Sequence, residues 1–482
     1  MSISAQVKPI PCSVLEQLPP ADLNQARALL AVQLAQDRHK IVVLDDDPTG
    51  VQTVHGISVY TEWSSDAILD GFQETSTMFF ILTNSRSFSR DKTRHEHRIM
   101  AERILAASQL TGKPPLIISR GDSTLRGHYP DEPEVLRDVM EEHGMPVDGE
   151  VIMPFFQEGG RYTLHGVHYV KEGDQLTPAG QTEFAQDKTF GYQNSHLGLW
   201  CQEKTGGAYS ADDMTYIDID QLRAMDIEGI AQKLRQVSGF GKVLVDAASY
   251  ADVMVFATAL LQVMAEGKRF LIRSAAAVTK VLGNVPDRPL LTRGELVRSG
   301  DLNGGLVIVG SHVNKTTRQL EALRQSTKPI EFIQFDQHTV LRSNGLQQET
   351  ARVSSLADEL IGRGKTVVVY TRRDRFDLPE EAGPEEQLRI STEISDAVTA
   401  VVSRLTVRPS FLIAKGGITS SDVGTKALKV YRATVMGQVL PGIPVWKTGA
   451  ESKFPGLPYV IFPGNVGDDL GLKTIVESLM PS

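Results

Sequence analysis

Cysteine is nearly absent: the 482 residues contain two, Cys12 and Cys201. That is too few for a disulfide framework, and it offers no ligand spacing for a structural metal; both suit a reducing compartment. Long apolar runs are missing as well. No stretch reaches the ~18 consecutive apolar residues that a membrane span needs. The opening MSISAQVKPIPC lacks a charged segment leading into an apolar one, so an export signal is not expected and a cytoplasmic location is. Basic blocks are also missing. Lys and Arg number 50 against 59 Asp and Glu, giving a net charge of −9, so nucleic acid is not expected as the main partner. At ~100–200 residues per domain, the length suggests two to four domains, each able to bury a core.

Residues 1–40 form an N-terminal extension. In ADLNQARALLAVQLAQ, the residues Leu23, Ala26, Leu29, Leu30 and Leu34 recur at helical spacing. Such a helix packs on its own domain or makes a contact in a homo-oligomer; the first is expected. A rhythm of short apolar strands follows, each running into a polar or glycine-rich cluster. Ile41–Leu44 leads into DDDPTG, Met78–Leu82 into TNSRS, Leu116–Ser119 into RGDSTLRG and Val151–Met153 into PFFQEGGR. Val243–Val245 leads into DAAS, Leu306–Val309 into GSHVN, Val367–Tyr370 into TRRD and Phe411–Ala414 into KGGITSS. Continuous apolar runs alternating with helical patterns indicate parallel strands covered on both faces. The fold class expected is therefore α/β, with two α/β domains built on largely parallel sheets. In such sheets ligands bind beyond the carboxyl ends of the strands. A Pro-, Gly- and charge-rich stretch at 285–305 marks the boundary. It divides a domain at 41–290 from a linker at 291–304 and a second domain at 305–482.

Three aspartates, Asp45, Asp46 and Asp47, crowd the end of the first strand; like charges so placed call for a cation, a basic partner or a bound hydroxyl. In RGDSTLRG, Arg120 and Arg126 bracket Asp122, Ser123 and Thr124. A guanidinium fork matches a carboxylate or phosphate with two parallel hydrogen bonds, while hydroxyls and a carboxylate read sugar hydroxyls. This chemistry fits a small polyhydroxy acid. Arg86 and Arg161 are further candidate clamps. The HxxH pair His165 and His168 lacks a third ligand at suitable spacing, so no metal site is expected. In the second half, GSHVNKTTRQLEAL reads as strand, loop and a helix from about Thr316. KGGITSSDVGTKAL repeats the form, with Thr419, Ser420 and Ser421 as cap candidates. Backbone N–H groups freed by glycine at a helix start favour phosphate. Two such loops, with FPGNVG near the end, indicate a nucleotide site. GRGKT at 362–366 and GFGK at 239–242 both precede strands and are set aside as phosphate loops.

Taken in order, DDDPTG, RGDSTLRG, GGRYTLHG, GSHVN and GGITSS resemble the motifs of the four-carbon acid sugar kinase family, over nearly the whole chain after residue 40. The resemblance implies an N-terminal acid-sugar-binding domain, a C-terminal nucleotide-binding domain and an active site in the interdomain cleft. It also implies ATP- and Mg²⁺-dependent phosphorylation of threonate, erythronate or an oxo-tetronate. Carried over by motif, the substrate would meet Asp46 or Asp47, Arg86, Asp122, Ser123, Thr124 and Arg126. ATP would meet Ser311, Gly416, Gly417, Thr419 and Gly464. One of Asp46 and Asp47 would accept the proton of the attacking hydroxyl, while Arg126, with Arg86 or Arg120, would hold the carboxylate. The chain departs from the family pattern at Pro48, in VQTVHGISVYTEW, which reads as strand where the family has a helix, at Arg120 where lysine is usual, and at FPGNVG where the family has KSGNFG. Two other readings exist. VVLDDDPTG, ILTNS and NVGDDLG also fit a haloacid-dehalogenase-type phosphatase with Asp45 as nucleophile and Asp47 as acid/base, which leaves DSTLRG and GGITSS without a role. A non-catalytic sensor of acid sugar and nucleotide is the other.

Overall fold

The computed structural model describes residues 7–374, 376, 383–464 and 466–481. The chain divides into two compact units, Met1–Val54 with Glu62–Asp287, and His55–Thr61 with Arg288–Ser482.

The N-terminal unit is built on seven parallel strands: β1 (Lys40–Asp45), β2 (Met78–Leu82), β3 (Pro115–Arg120), β4 (Gly149–Met153), β5 (Thr215–Ile217), β6 (Gly241–Val245) and β7 (Phe270–Ser274). Their order across the sheet is β5-β6-β4-β7-β3-β1-β2. β1 to β3 are buried along their whole length, as expected of strands covered on both faces. Helix α1 (Leu23–Gln36) starts where the Asp22 carboxylate accepts the Gln25 N–H, and it buries Ala26 and Leu30. It packs on α2 (Tyr250–Ala265), a helix apolar nearly all round, which needs cover on its outer side as well. The extension is thus part of the N-terminal unit. A second, antiparallel sheet is made by Ile10–Pro11, Gln175–Pro178, Val167–Glu172 and Arg161–Leu164. His165 and Gly166, both at positive φ (48° and 77°), close its hairpin in the way a tight two-residue turn requires.

The C-terminal unit holds β8 (Leu306–Val309), β9 (Ile330–Phe335), β10 (Thr366–Thr371), β11 (Leu412–Lys415), β12 (Arg432–Leu440), β13 (Ile443–Thr448) and β14 (Pro458–Phe462). From β9 through β10, β8 and β11 to β14 the strands are parallel; β13, β12 and Ser58–Tyr60 continue the sheet antiparallel. Residues 291–304, read above as a linker, instead carry Leu291, Leu296 and Val297 of this unit's core. Among the described residues no helix is long and apolar enough to cross a membrane.

Candidate active site

The chemistry-bearing residues of the N-terminal unit lie where β1, β2, β3 and β7 end. Asp45, the last residue of β1, is sealed at 2% exposure, and burial pushes its carboxyl up to about 7 against the pull of Arg120. Gly50 of DDDPTG lies on this carboxylate: a Cβ there would stand 2.0 Å from Asp45 Oδ2, so the glycine is required by close approach. Asp46 is equally buried. It meets Arg86 Nε at 2.9 Å and Arg120 Nη1 at 3.4 Å. Burial raises its pKa despite both cations. Asp47 differs. Its side chain keeps 19% exposure and accepts the Thr49 N–H at 2.8 Å, while Arg86 Nη2 stands 3.2 Å away. Burial opposes its ionisation, but Arg86, the Thr49 hydroxyl and Arg120 outweigh that and hold the carboxyl below its usual range.

The RGDSTLRG loop turns on Leu125 and Gly127, both at positive φ (67° and 121°). Asp122 accepts hydrogen bonds from Arg126 Nε at 2.7 Å and from the Thr124 hydroxyl. Burial works against its charge, yet Arg126 and Arg86 hold it well below the usual carboxylate range. Three groups that the motifs do not name fix this loop from beneath. Arg273 of β7 donates to the Arg126 carbonyl at 3.2 Å and to Glu132 Oε2 at 2.8 Å. A Cβ on Gly121 would lie 2.3 Å from the Arg273 guanidinium, so the loop rests directly on it. His168, which HxxH spacing offered as a ligand, is fully buried; its Nε2 faces the Ser123 carbonyl at 2.8 Å and its Nδ1 the Thr163 hydroxyl at 3.0 Å. Tyr192 donates to the Thr124 carbonyl at 2.7 Å. The one sequence signal for Arg273 is a charged residue inside the apolar strand FLIRS.

Arg161 stands apart from the other guanidiniums. Arg86, Arg120 and Arg126 are each ion-paired to aspartates of the cluster. Among the described residues Arg161 donates to the Gly159 carbonyl, and it lies over the Phe184 ring, 5.6 Å from a centroid that Arg126 also approaches at 5.2 Å. Among the described residues its buried Nε has no hydrogen-bond partner, and burial lowers its pKa against the pull of Asp122. A buried guanidinium without a counter-ion is costly unless an anion arrives.

The haloacid-dehalogenase-type reading fares poorly on this geometry. Its nucleophile would be the sealed Asp45, and Thr83 of ILTNS spends its hydroxyl on the Asp45 carbonyl. Of NVGDDLG, Asp469 pairs with Arg318 of the C-terminal unit.

In the C-terminal unit, the ends of β8, β11 and β14 bring Ser311, Gly416 and Gly464 together. A Cβ on Gly416 (φ 120°) would lie 3.0 Å from Ser311 Cβ, and one on Gly464 would lie 3.5 Å from Ser311 Oγ. The Thr316 hydroxyl stands 3.2 Å from Ser311 Oγ and 3.4 Å from the Gly464 carbonyl. Thr419 packs on Gly310, where a Cβ would come within 2.4 Å of its Oγ1. Two expectations are corrected. Helix Gly417–Asp422 is capped by Gly416, not by Thr419, Ser420 or Ser421, which lie inside it; Ser420 donates instead to the Ala414 carbonyl at 2.9 Å. Helix α3 (Asn314–Arg324) begins two residues before Thr316. Asn465 of FPGNVG lies outside the described residues.

Comparison with known proteins agrees with this division. A family model described as a sugar-binding N-terminal domain matches residues 41–282, and one described as a nucleotide-binding C-terminal domain matches residues 306–472. The chain belongs to the four-carbon acid sugar kinase family. Its two domains give the family its sugar-binding and nucleotide-binding halves. The fold is shared with a Haemophilus influenzae protein of the DUF1537 family, at TM-score 0.56 and 16% identity over 90% of this chain and 99% of that one. It is also shared with a Salmonella typhimurium LT2 protein described provisionally as a tRNA synthase, at TM-score 0.62 and 16% identity over 92% and 99%. At such identity the likeness concerns the fold alone. No curated protein matches the sequence.

Proposed function

We propose that the protein is a cytoplasmic, ATP-dependent kinase that phosphorylates a hydroxyl of a four-carbon acid sugar (threonate, erythronate or a 3-oxo-tetronate) in carbohydrate catabolism. The observation that carries this reading is Arg161: a half-buried guanidinium, acted on by Asp122 but directly paired with no carboxylate of the described residues, beside a cluster rich in aspartates and hydroxyls. The substrate carboxylate supplies the missing charge at Arg161, with Arg126 alongside. Arg86 and Arg120, already committed to Asp46, Asp47 and Asp45, hold the aspartates rather than the ligand. Asp122, Ser123 and Thr124 read the hydroxyls. Asp47 keeps access to solvent whereas Asp46 does not, so Asp47 accepts the proton of the attacking hydroxyl and Asp46 anchors Arg86 and Arg120. Ser311, Gly416, Gly417, Thr419 and Gly464 would hold the nucleotide; closely approaching glycine backbone suits a phosphate chain. Mg²⁺ would be carried mainly by the phosphate oxygens of the nucleotide. Bound there, Mg²⁺ would neutralise charge on the transferring group.

An ADP-coupled assay over threonates, erythronates and oxo-tetronates tests the proposal. Turnover with at least one of them is expected. In R161Q the KM for that acid should rise about 30- to 100-fold, the equivalent of about 2–3 kcal/mol for a charge-assisted pair. Binding of both ligands without ADP formation would instead identify a sensor, and phosphate release from simple esters a phosphatase.

A further inference from the structure

A second guanidinium without a counter-ion lies in the C-terminal unit, at a position none of the motifs covers. The strand β10 ends in two adjacent arginines whose surroundings are opposite. Arg372 is exposed to acids: Asp374 stands 2.7 Å from its Nη2 and Asp336 3.4 Å from its Nη1. Arg373 turns to the loop after β8. Its Nη2 donates to the Ser311 carbonyl at 2.8 Å and to the Thr317 hydroxyl at 2.9 Å, and its Nε to the same hydroxyl at 3.2 Å. Among the described residues its buried Nη1 has no hydrogen-bond partner and no carboxylate pairs with it. The nearest acid to act on it is Glu321, too weakly to offset burial.

Positive charge without acid continues around the same loop. Lys415, the last residue of β11, is fully buried over the Phe462 ring. It donates to the Pro463 carbonyl at 2.5 Å and the Gly464 carbonyl at 3.2 Å, and no carboxylate of the described residues pairs with it. Lys315 stands close enough to repel it. An acidic chain has thus placed Arg373 and Lys415 around Ser311, Gly416 and Gly464 with no carboxylate of the described residues paired to either. Such a group is stable when the balancing charge comes from a ligand, and a planar guanidinium suits phosphate oxygens.

We propose that Arg373 binds the polyphosphate of the nucleotide, its free Nη1 edge taking a phosphate oxygen beside Ser311, while Lys415 holds the Pro463–Gly464 loop in place as a positioning residue. The proposal rests on the nucleotide-binding assignment of this unit and deepens it. The test is calorimetry on the full chain with ATP, adenosine and inorganic tripolyphosphate as probes. In R373M the affinity for ATP and for tripolyphosphate should fall about 30-fold or more, while that for adenosine stays within about threefold. R373K, which keeps the charge but loses the fork, should fall in between, and R372M should bind ATP like the wild type. If R373M melts early, R373K decides the matter by the same comparison. Equal loss for adenosine and ATP would mean that Arg373 only shapes the loop, and unchanged ATP affinity in R373M would also overturn the proposal. Wild-type protein that binds tripolyphosphate through Arg373 but no nucleotide would retain the anion site and retire the nucleotide reading. Binding of neither probe would end both.

Discussion

Three consecutive aspartates have the same chemistry on paper and three different environments in the fold. Asp47 reaches solvent and is held ionised by Arg86 and Thr49, as a proton acceptor in contact with a hydroxyl must be. D47N is expected to lower kcat by about 10²–10⁴, the usual worth of general acid–base catalysis, while leaving ATP affinity within about twofold by calorimetry. Comparable turnover in D47N would remove Asp47 from the role. Asp45 has a structural effect instead. Its carboxyl, 3.8 in an unfolded chain, lies near 7 when folded because burial penalises the charge. The folded state therefore holds a proton that the unfolded state has lost between these values. That contribution is fully present below about pH 4 and lost as pH rises through about 7. D45N cannot ionise, so the wild type should lose stability relative to D45N by roughly 2–4 kcal/mol between pH 4 and pH 8. Thermal melts of the two proteins across that range would show it as diverging curves; parallel curves would contradict the assignment.

Among elements, the DSTLRG loop shows how much a site depends on what lies beneath it. The groups proposed to recognise the substrate come from the loop, but its shape comes from Arg273 on β7, Glu132 at the first turn of helix Asp131–Glu142, and His168 in the hairpin. Arg273 and Glu132 are a buried pair, with side chains 6% and 2% exposed. Removing one charge strands the other, so R273M should cost about 3–5 kcal/mol in urea unfolding, and R273M/E132Q should recover part of that. A double variant no more stable than the single one would argue against the pairing. Helix α1 acts at this scale too. Leu30 is buried on α1, which packs on α2, and L30A is expected to cost about 2–4 kcal/mol in the same measurement. A loss below about 0.5 kcal/mol would mean that the helix is only loosely attached.

Across the whole molecule, the strands that the sequence revealed are those whose hydrophobicity needs no partner to be understood. Ile41–Leu44, Met78–Leu82, Leu306–Val309 and Val367–Tyr370 are continuous apolar runs, buried on both faces, and the structure extends each by at most a residue or two at either end. Strands with mixed faces were not legible. Arg432–Leu440 alternates buried and exposed positions, and Arg161–Leu164 sits in a glycine-rich stretch that reads as loop. The strand read in VQTVHGISVYTEW is there as Ser58–Tyr60, but the departure of residues 55–61 into the C-terminal unit was not visible, since the chain pattern of a strand does not name its pairing partner.

Sequence by itself determined the fold class and the family and singled out the candidate site residues, because apolar runs and tight clusters of Asp, Arg, Ser and Gly are local properties of a chain. Tertiary structure alone decided which charges are already balanced. Arg86 and Arg120 pair with aspartates 40 and 75 positions away along the chain, whereas Arg161 and Arg373 pair directly with no carboxylate of the described residues. A counter-ion is a neighbour in space, and spacing along the chain does not specify it.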